Sequence, residues 1–249
     1  MKIARKPLFF EILIVLALSL GASAIYSVVA LIAKLLSPAG LGAQVTKING
    51  SMARSEWLDM TYQLLAIGLG LAPVALALYL IWQTDKHPLK AIGFNLQRPV
   101  FWLSRGFGLA AVIGVPGLAL YIGARLLGLS SKIVPAELAD YWWVVPILLL
   151  AAVKAAVSEE IIVVGYLFDR LGKLGISDRS QLVISATLRG SYHLYQGFAG
   201  FIGNFVMGIV FGWAYKKWGR VMPLVFAHFI LDAVSFVGYA LIGKGLPLP

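Results

Sequence analysis

The chain contains no cysteine and few charged residues, and both absences narrow what it can be. Without cysteine, disulfide bonds, thiol nucleophiles and thiolate metal ligands are excluded for all 249 residues. Only 13% of the residues are charged and 60% are hydrophobic, whereas a soluble domain carries about 25% charged residues. Several apolar runs exceed the length of about 20 residues that crosses a bilayer as a helix. The sequence therefore predicts an all-α fold, a polytopic transmembrane helix bundle.

The apolar runs predict about seven spans in a single membrane domain that covers residues 1–249. These runs are 8–36, 60–82, 101–127, 141–168, 180–195, 202–215 and 221–242. The loops on one side carry thirteen Lys and Arg residues, Lys2 included, against four on the other, Lys244 included. The positive-inside rule then places the N-terminus in the cytoplasm and the C-terminus outside. Because topology accounts for the net charge of +10, we expect the lipid bilayer and no nucleic acid as a partner.

Two adjacent glutamates, Glu159 and Glu160, lie inside the fourth apolar run. An ionised carboxylate at the bilayer centre costs at least about 2.5–3.5 kcal/mol, so such a pair is a candidate functional site. Helical rise places six ionisable groups of three spans within about 10 Å of depth in the cytoplasmic half. They are Glu159, Glu160, Arg189, His193, His228 and Asp232. Arg189 and His193 are spaced four residues apart in one span, and His228 and Asp232 in another. Each pair is therefore predicted to share one helix face.

Two carboxylates and two imidazoles in a secluded cavity suit hydrolysis. A glutamate can take a proton from water, and a histidine or Asn204 can stabilise the oxyanion that develops. The same residue types suit zinc, with Glu159, His193 and His228 as ligands and the second glutamate as base. No H-E-x-x-H or G-x-S-x-G motif occurs in the sequence, so neither a common zinc helix nor a serine nucleophile is indicated.

Other polar residues near the predicted site have two readings. Tyr192, Tyr195 and Gln196 line the site in one interpretation and anchor the membrane interface in the other. Both readings remain open from the sequence.

Three motifs in order on three successive spans resemble a known family. They are Glu159-Glu160 followed by Gly165-Tyr166-Leu167, then His193, then His228-Phe229-Ile230-Leu231-Asp232. Over about residues 140–240 this resembles the CPBP family, which comprises type II CAAX prenyl proteases and bacteriocin-processing membrane proteases, also called Abi proteins. Its pattern is EExxxR, then FxxxH, then HxxxN or HxxxD.

The resemblance implies an intramembrane endopeptidase whose catalytic helices lie in residues 140–240. Glu159 would activate water with the help of His193, beside Glu160, while His228 and Asp232 would build the oxyanion or metal side. The implied substrate is a membrane-associated peptide or protein, with prenylated CAAX chains as the namesake. Family members are described both as metal-dependent and as glutamate proteases, so the resemblance leaves zinc open as a cofactor.

The chain departs from the family pattern at two positions. Val164 stands where EExxxR has arginine, and Arg189 stands where FxxxH has phenylalanine. We interpret these as one change, in which the guanidinium of Arg189 replaces the missing one from the neighbouring helix. The departures also leave open an inactive CPBP-like membrane scaffold. A proton-coupled transporter with a carboxylate relay ranks behind it, because no inverted repeat is evident.

Overall fold

A computed structural model describes residues 5–243; Lys2 and Lys244, which entered the charge count, lie outside the described residues. The described chain is mostly helical, at 75%. Its helices are α1 (Arg5–Ala17), α2 (Leu20–Leu36), α3 (Glu56–Leu69), α4 (Ala72–Trp82), α5 (Pro88–Ala91), α6 (Pro99–Leu126), α7 (Val144–Glu159), α8 (Leu167–Lys173), α9 (Asp178–Ser191), α10 (Phe198–Trp218) and α11 (Met222–Leu241). A π-helical segment, Glu160–Tyr166, joins α7 to α8.

Within residues 5–243, four helical stretches are long and apolar enough to cross a membrane. They are Glu56–Trp82, Pro99–Leu126, Phe198–Trp218 and Met222–Leu241, and α1 with α2 adds a fifth if that pair counts as one span. The protein is therefore an integral membrane protein with several helical spans, but the number seven is not confirmed. The two remaining predicted spans, 141–168 and 180–195, carry four of the six ionisable groups, and α9 has only 14 residues, about 21 Å.

The sequence predicts one helix for the first apolar run. The structure instead has two helices, α1 and α2, which are bent by 55° relative to each other. At the break, the Ser19 hydroxyl donates to the Val15 carbonyl at 2.6 Å, a side-chain bond that competes with the helical ladder. Below the bend, α1 is tied to α8, because Glu11 accepts a hydrogen bond from the fully buried Arg170 at 2.7 Å. Glu11 also accepts from the hydroxyl of Tyr166 at 3.0 Å.

The all-α prediction misses a two-stranded parallel sheet. Strands β1 (Val45–Gly50) and β2 (Lys132–Glu137) occupy segments that the sequence treats as polar loops, and they pair from Val45 with Lys132 to Gly50 with Glu137. Parallel pairing needs a long crossover, here the whole of α3 to α6, so no local turn signal announces it. A sheet of two strands has only edge strands, which explains why β2 accommodates Pro135.

The π-helical segment lies at the centre of the bundle, and all seven of its residues are buried. The Val163 carbonyl accepts a hydrogen bond from the Ser185 hydroxyl of α9 at 2.9 Å, which helps to satisfy a backbone whose ladder changes register there. Gly165 allows close packing, since a Cβ there would lie 3.3 Å from the Ile92 side chain. Short π-helical insertions are frequent at functional sites.

Helices α9 and α10 approach each other closely through small residues. A Cβ at Gly208 would lie 2.7 Å from the Cα of Ala186, and one at Gly212 would lie 2.6 Å from the Leu182 side chain. Small residues at four-residue spacing are a common means of close helix packing in membranes. This approach brings the end of α9 against the core of the bundle.

We expect Gly208→Ala to lower the free energy of unfolding by about 1–3 kcal/mol, because its methyl group meets backbone that cannot yield. Gly108→Ala is the matched control, since Gly108 lies inside α6 with open space at its Cβ. Both substitutions gain about 1 kcal/mol of helix propensity, so their difference reports packing. Reversible unfolding in mixed micelles measures it. Equal stability of the two variants would contradict the close α9–α10 contact.

Candidate active site

The two glutamates lie where α7 changes into the π-helical segment. Glu159 is the last residue of α7 and Glu160 is the first of the segment. Glu160 is fully buried, and Glu159 is 9% exposed. Because they are adjacent in sequence at the boundary of two helix types, both carboxylates can reach one group on the neighbouring helix. That group is Arg189.

Arg189 near the end of α9 contacts both carboxylates. Its Nη2 donates to Glu160 Oε1 at 2.7 Å and its Nη1 to Glu159 Oε2 at 3.5 Å. The side chain is fully buried, and its guanidinium lies 5.5 Å from the ring centroid of Phe211 on α10. Gly208 of α10 lies beside it, since a Cβ there would lie 3.4 Å from Arg189 Cδ. The guanidinium therefore faces the acids rather than lipid.

His228 on α11 contacts the same acidic pair from a third helix. Its Nδ1 lies 2.7 Å from Glu160 Oε1, so Glu160 Oε1 accepts from both His228 and Arg189. The other ring nitrogen, Nε2, lies 4.0 Å from Glu159 Oε2 and 3.5 Å from Asp232 Oδ2. His228 and Asp232 share one face of α11, as their spacing predicts.

His193 reaches the site from a turn, not from a helix. The prediction that Arg189 and His193 share one helix face is wrong in this respect, because α9 ends at Ser191. His193 precedes a short 3-10 turn, Leu194–Gln196. Its Nε2 lies 3.9 Å from Glu159 Oε2, and its Nδ1 lies 3.3 Å from Gln196 Nε2.

Tyr192 is a functional candidate that the sequence leaves ambiguous. Its hydroxyl donates to Glu159 Oε2 at 2.7 Å, and the residue is buried at 4% exposure. The interface-anchor reading of Tyr192 is therefore wrong. A tyrosine next to the motif histidine was the only signal available, and aromatic residues in membrane proteins more often mark interfaces.

Asn204, the other predicted oxyanion donor, is engaged elsewhere. Its amide donates to the Gly200 carbonyl at 2.9 Å, one turn earlier on α10. Among residues 5–243 we observe no hydrogen bond from Asn204 to the acidic cluster. The structure thus brings six of the predicted residues together and leaves the seventh in a local helix contact.

The hydrogen bonding of the cluster is incomplete in the part of the chain that the structure describes. Three buried side-chain atoms of the cluster lack a hydrogen-bond partner among the described residues: Glu160 Oε2, Arg189 Nε and His193 Nε2. Formal charges are also unbalanced, since three carboxylates face one guanidinium, and the imidazoles are the groups that can carry balancing protons. Such unpartnered atoms are the positions at which a bound water or polar ligand would find hydrogen-bond partners.

The zinc set of Glu159, His193 and His228 does not fit a metal ion as it stands. Over the described residues, no three His, Asp or Glu side chains form a group that could hold one. Glu159 Oε2 lies 3.9 and 4.0 Å from the two Nε2 atoms, whereas neighbouring ligands of tetrahedral zinc lie roughly 3.3 Å apart. Glu159 Oε2 is also hydrogen-bonded to Tyr192.

The fold and the cluster together define a helical membrane protein with a buried acid–imidazole site. Residues 141–234, less than half of the chain, match the family model described as type II CAAX prenyl endopeptidase Rce1-like. This match confirms the CPBP resemblance over that segment, and it contains all seven predicted site residues. The family is one of proteases. No curated protein and no solved structure matches the chain.

The Val164 and Arg189 departures can be tested as a pair. We expect Arg189→Phe to lower the free energy of unfolding by about 3–5 kcal/mol, because it leaves buried carboxylates without their cation. Val164→Arg alone adds a second cation at a fully buried position and should also destabilise. If one guanidinium replaces the other, the double variant is more stable than either single one.

A double-mutant cycle from unfolding in mixed micelles measures this coupling. Additive losses in the double variant would show that the two positions are independent. The interpretation of one compensated change would then be wrong.

Proposed function

We propose that the protein is an intramembrane endopeptidase that hydrolyses a peptide bond with water activated by Glu159. One observation carries this proposal: the Glu159 carboxylate faces the Nε2 atoms of His193 and His228 at 3.9 and 4.0 Å. A gap of that size accepts a water oxygen in hydrogen-bonding distance of both Glu159 and His193. The family match to CAAX endopeptidases supports the same reaction class.

In this mechanism Glu159 takes a proton from the water while the water oxygen bonds to the scissile carbonyl carbon. The carbonyl π electrons move to its oxygen and form an oxyanion. Protonated Glu159 then passes the proton to the peptide nitrogen, and the C–N bond breaks. Tyr192 and Arg189 hold Glu159 Oε2 during these steps, at 2.7 and 3.5 Å.

In this proposal, His228 stabilises the oxyanion. Glu160 holds His228 through Nδ1 at 2.7 Å, and Asp232 lies 3.5 Å from Nε2. With Glu160 at Nδ1 and Asp232 near Nε2, His228 can present its Nε2–H to a developing negative charge. Glu160 and Asp232 thus orient His228, and Arg189 neutralises Glu160.

The proposed substrate is a membrane-associated peptide or protein, with prenylated CAAX chains as the candidate that the family description names. An apolar cavity of about 820 Å³ lies between α6, β2 and α11, beside Leu231 and Ser235. Leu231 precedes Asp232 on α11, and none of the six clustered site residues lines the cavity. Its apolar lining suits the lipid of such a substrate.

The proposal also includes one membrane domain over residues 1–249, about seven spans, and a cytoplasmic N-terminus. The unequal distribution of Lys and Arg between alternate loops supports this orientation. The short, charged α9 and the acid-bearing α7 would then be spans stabilised by their partners in the bundle rather than by apolar character.

We expect Glu159→Gln to reduce cleavage of a quenched fluorescent prenylated peptide in proteoliposomes by at least about 10²-fold, because the amide cannot accept a proton. The variant should retain the wild-type unfolding midpoint within a few degrees, since the amide can still accept from Tyr192. Glu137→Gln is the control, because Glu137 is an exposed residue paired with Lys47 on the strands. Unchanged cleavage by Glu159→Gln would exclude this mechanism.

The absence of cysteine makes the orientation directly testable. Lys47→Cys on β1 and Lys86→Cys before α5 each introduce one exposed thiol. In intact cells, a membrane-impermeant maleimide should label the cysteine at 47 and not the one at 86. Inverted vesicles should give the opposite pattern. Labelling at 86 in intact cells would refute the proposed orientation.

A further inference from the structure

The turn that carries His193 is fastened to the rest of the protein through the residue three positions later. The backbone carbonyl of Gln196 accepts hydrogen bonds from Ser131 N at 3.1 Å, Ser131 Oγ at 3.0 Å and Ser130 Oγ at 3.1 Å. Both serines are fully buried. The residues just before β2 therefore hold the turn by its main chain, independently of the Gln196 side chain.

A lysine of α2 holds the preceding residue. Lys34 Nζ donates to the Tyr195 carbonyl at 2.5 Å and to Ser131 Oγ at 3.4 Å, and it also bonds to Thr46 Oγ1. Thr46 Oγ1 and Ser131 Oγ lie 2.6 Å apart. Residues from α2, β1 and the start of β2 thus converge on the backbone of one turn.

Gly197 closes this turn at a position that only glycine fills without strain. Its φ is 108°, in the region that side chains disfavour. A Cβ at Gly197 would lie 2.9 Å from Ser130 Cα, and one at Gly200 would lie 2.6 Å from the His193 carbonyl oxygen. Close backbone contacts on both sides leave the turn little freedom, so His193 and the Gln196 side chain keep a defined relation.

That relation determines which nitrogen of His193 carries the proton. Gln196 Nε2 lies 3.3 Å from His193 Nδ1 and donates to Tyr195 Oη at 3.0 Å. An amide nitrogen donates hydrogen bonds and does not accept them, so Nδ1 of the neutral ring must be the acceptor. The proton then resides on Nε2, which lies 3.9 Å from Glu159 Oε2.

We infer that Gln196 is a positioning residue that fixes His193 as the Nε2–H tautomer. This inference rests on the proposed endopeptidase function and assigns separate roles to His193 and Glu159 within it. His193 donates through Nε2 to the attacking water, and Glu159 is the base that takes the proton from that water. With the opposite tautomer, Nε2 would be an acceptor and would compete with Glu159 for the proton.

The tautomer can be read without any activity. The chain has three histidines, so imidazole ¹⁵N spectra of the detergent-solubilised protein contain three ring systems, and His87→Gln, His193→Gln and His228→Gln assign them. We expect the wild-type His193 ring to carry a proton on Nε2 and none on Nδ1. In Gln196→Glu, the new carboxylate accepts from Nδ1, and Nδ1 becomes protonated. A protonated Nδ1 in the wild type would overturn the inference.

Cleavage kinetics supply the second readout. Gln196→Met keeps the length of the side chain but cannot donate, and we expect kcat to fall about tenfold while KM changes less than about twofold. Gln196→Glu should lower kcat and also shift the pH profile, because the carboxylate stabilises the imidazolium. Gln63→Met is the control for loss of a buried amide. Gln63 donates to the carbonyl of Gly50 at the end of β1, and its variant should retain wild-type kinetics.

The outcomes separate the two claims. If Glu159→Gln is inactive while both Gln196 variants keep the wild-type kcat and pH profile, the positioning role is wrong and the endopeptidase proposal stands. If the wild-type protein cleaves no peptide, the proposed function fails, and the roles assigned to His193 and Glu159 fail with it. If the Gln196 variants lose activity and unfold at a lower temperature with an unchanged His193 spectrum, the role is structural and the inference fails.

Discussion

The site depends on one buried guanidinium that is shared by two carboxylates. Arg189 contacts Glu160 at 2.7 Å and Glu159 at 3.5 Å, and its side chain is fully buried. In apolar surroundings an unpaired carboxylate is expensive, and removing one partner of such a pair is strongly destabilising. Two adjacent glutamates at the junction of α7 and the π-helical segment therefore require a cation close to them. It comes from α9, and His228 of α11 adds a second donor to Glu160 at 2.7 Å, so one acidic pair links three helices.

Several features of the fold serve this arrangement. Gly208 and Gly212 let α10 lie close to α9, and Gly208 also lies beside the Arg189 side chain. The π-helical segment starts at Glu160, where the helix carrying the acids changes register, and its residues are buried on every side. The β1–β2 sheet and Lys34 hold the turn after α9, which keeps His193 at the edge of the cluster. Packing, backbone geometry and charge balance therefore all depend on the same few residues.

Depth estimates from helical rise predicted similar depths for Glu159, Arg189 and His228, because the charged residues at the cytoplasmic ends mark where each span begins. The same reasoning failed where a span is interrupted. The end of α9 at Ser191 moved His193 into a turn, and the first apolar run bends at residues 18–19. Periodicity gives no sign of such breaks, since they result from side-chain bonds and contacts with distant segments. The parallel sheet was missed for a related reason, as its two strands have no turn between them.

The sequence alone determined that this is a helical membrane protein, and it predicted carboxylates and imidazoles at matching depths, since apolar run length and the positions of charges are local properties. The ordered motifs likewise carried the CPBP resemblance without coordinates. The tertiary structure decided which atoms meet: that Tyr192 donates to Glu159, that Asn204 bonds within its own helix, and that Gln196 faces Nδ1 of His193. Whether these contacts form depends on how each helix is rotated about its axis and on the path of each turn. No spacing rule along the chain encodes such angles, because they are set by the packing of all the helices at once.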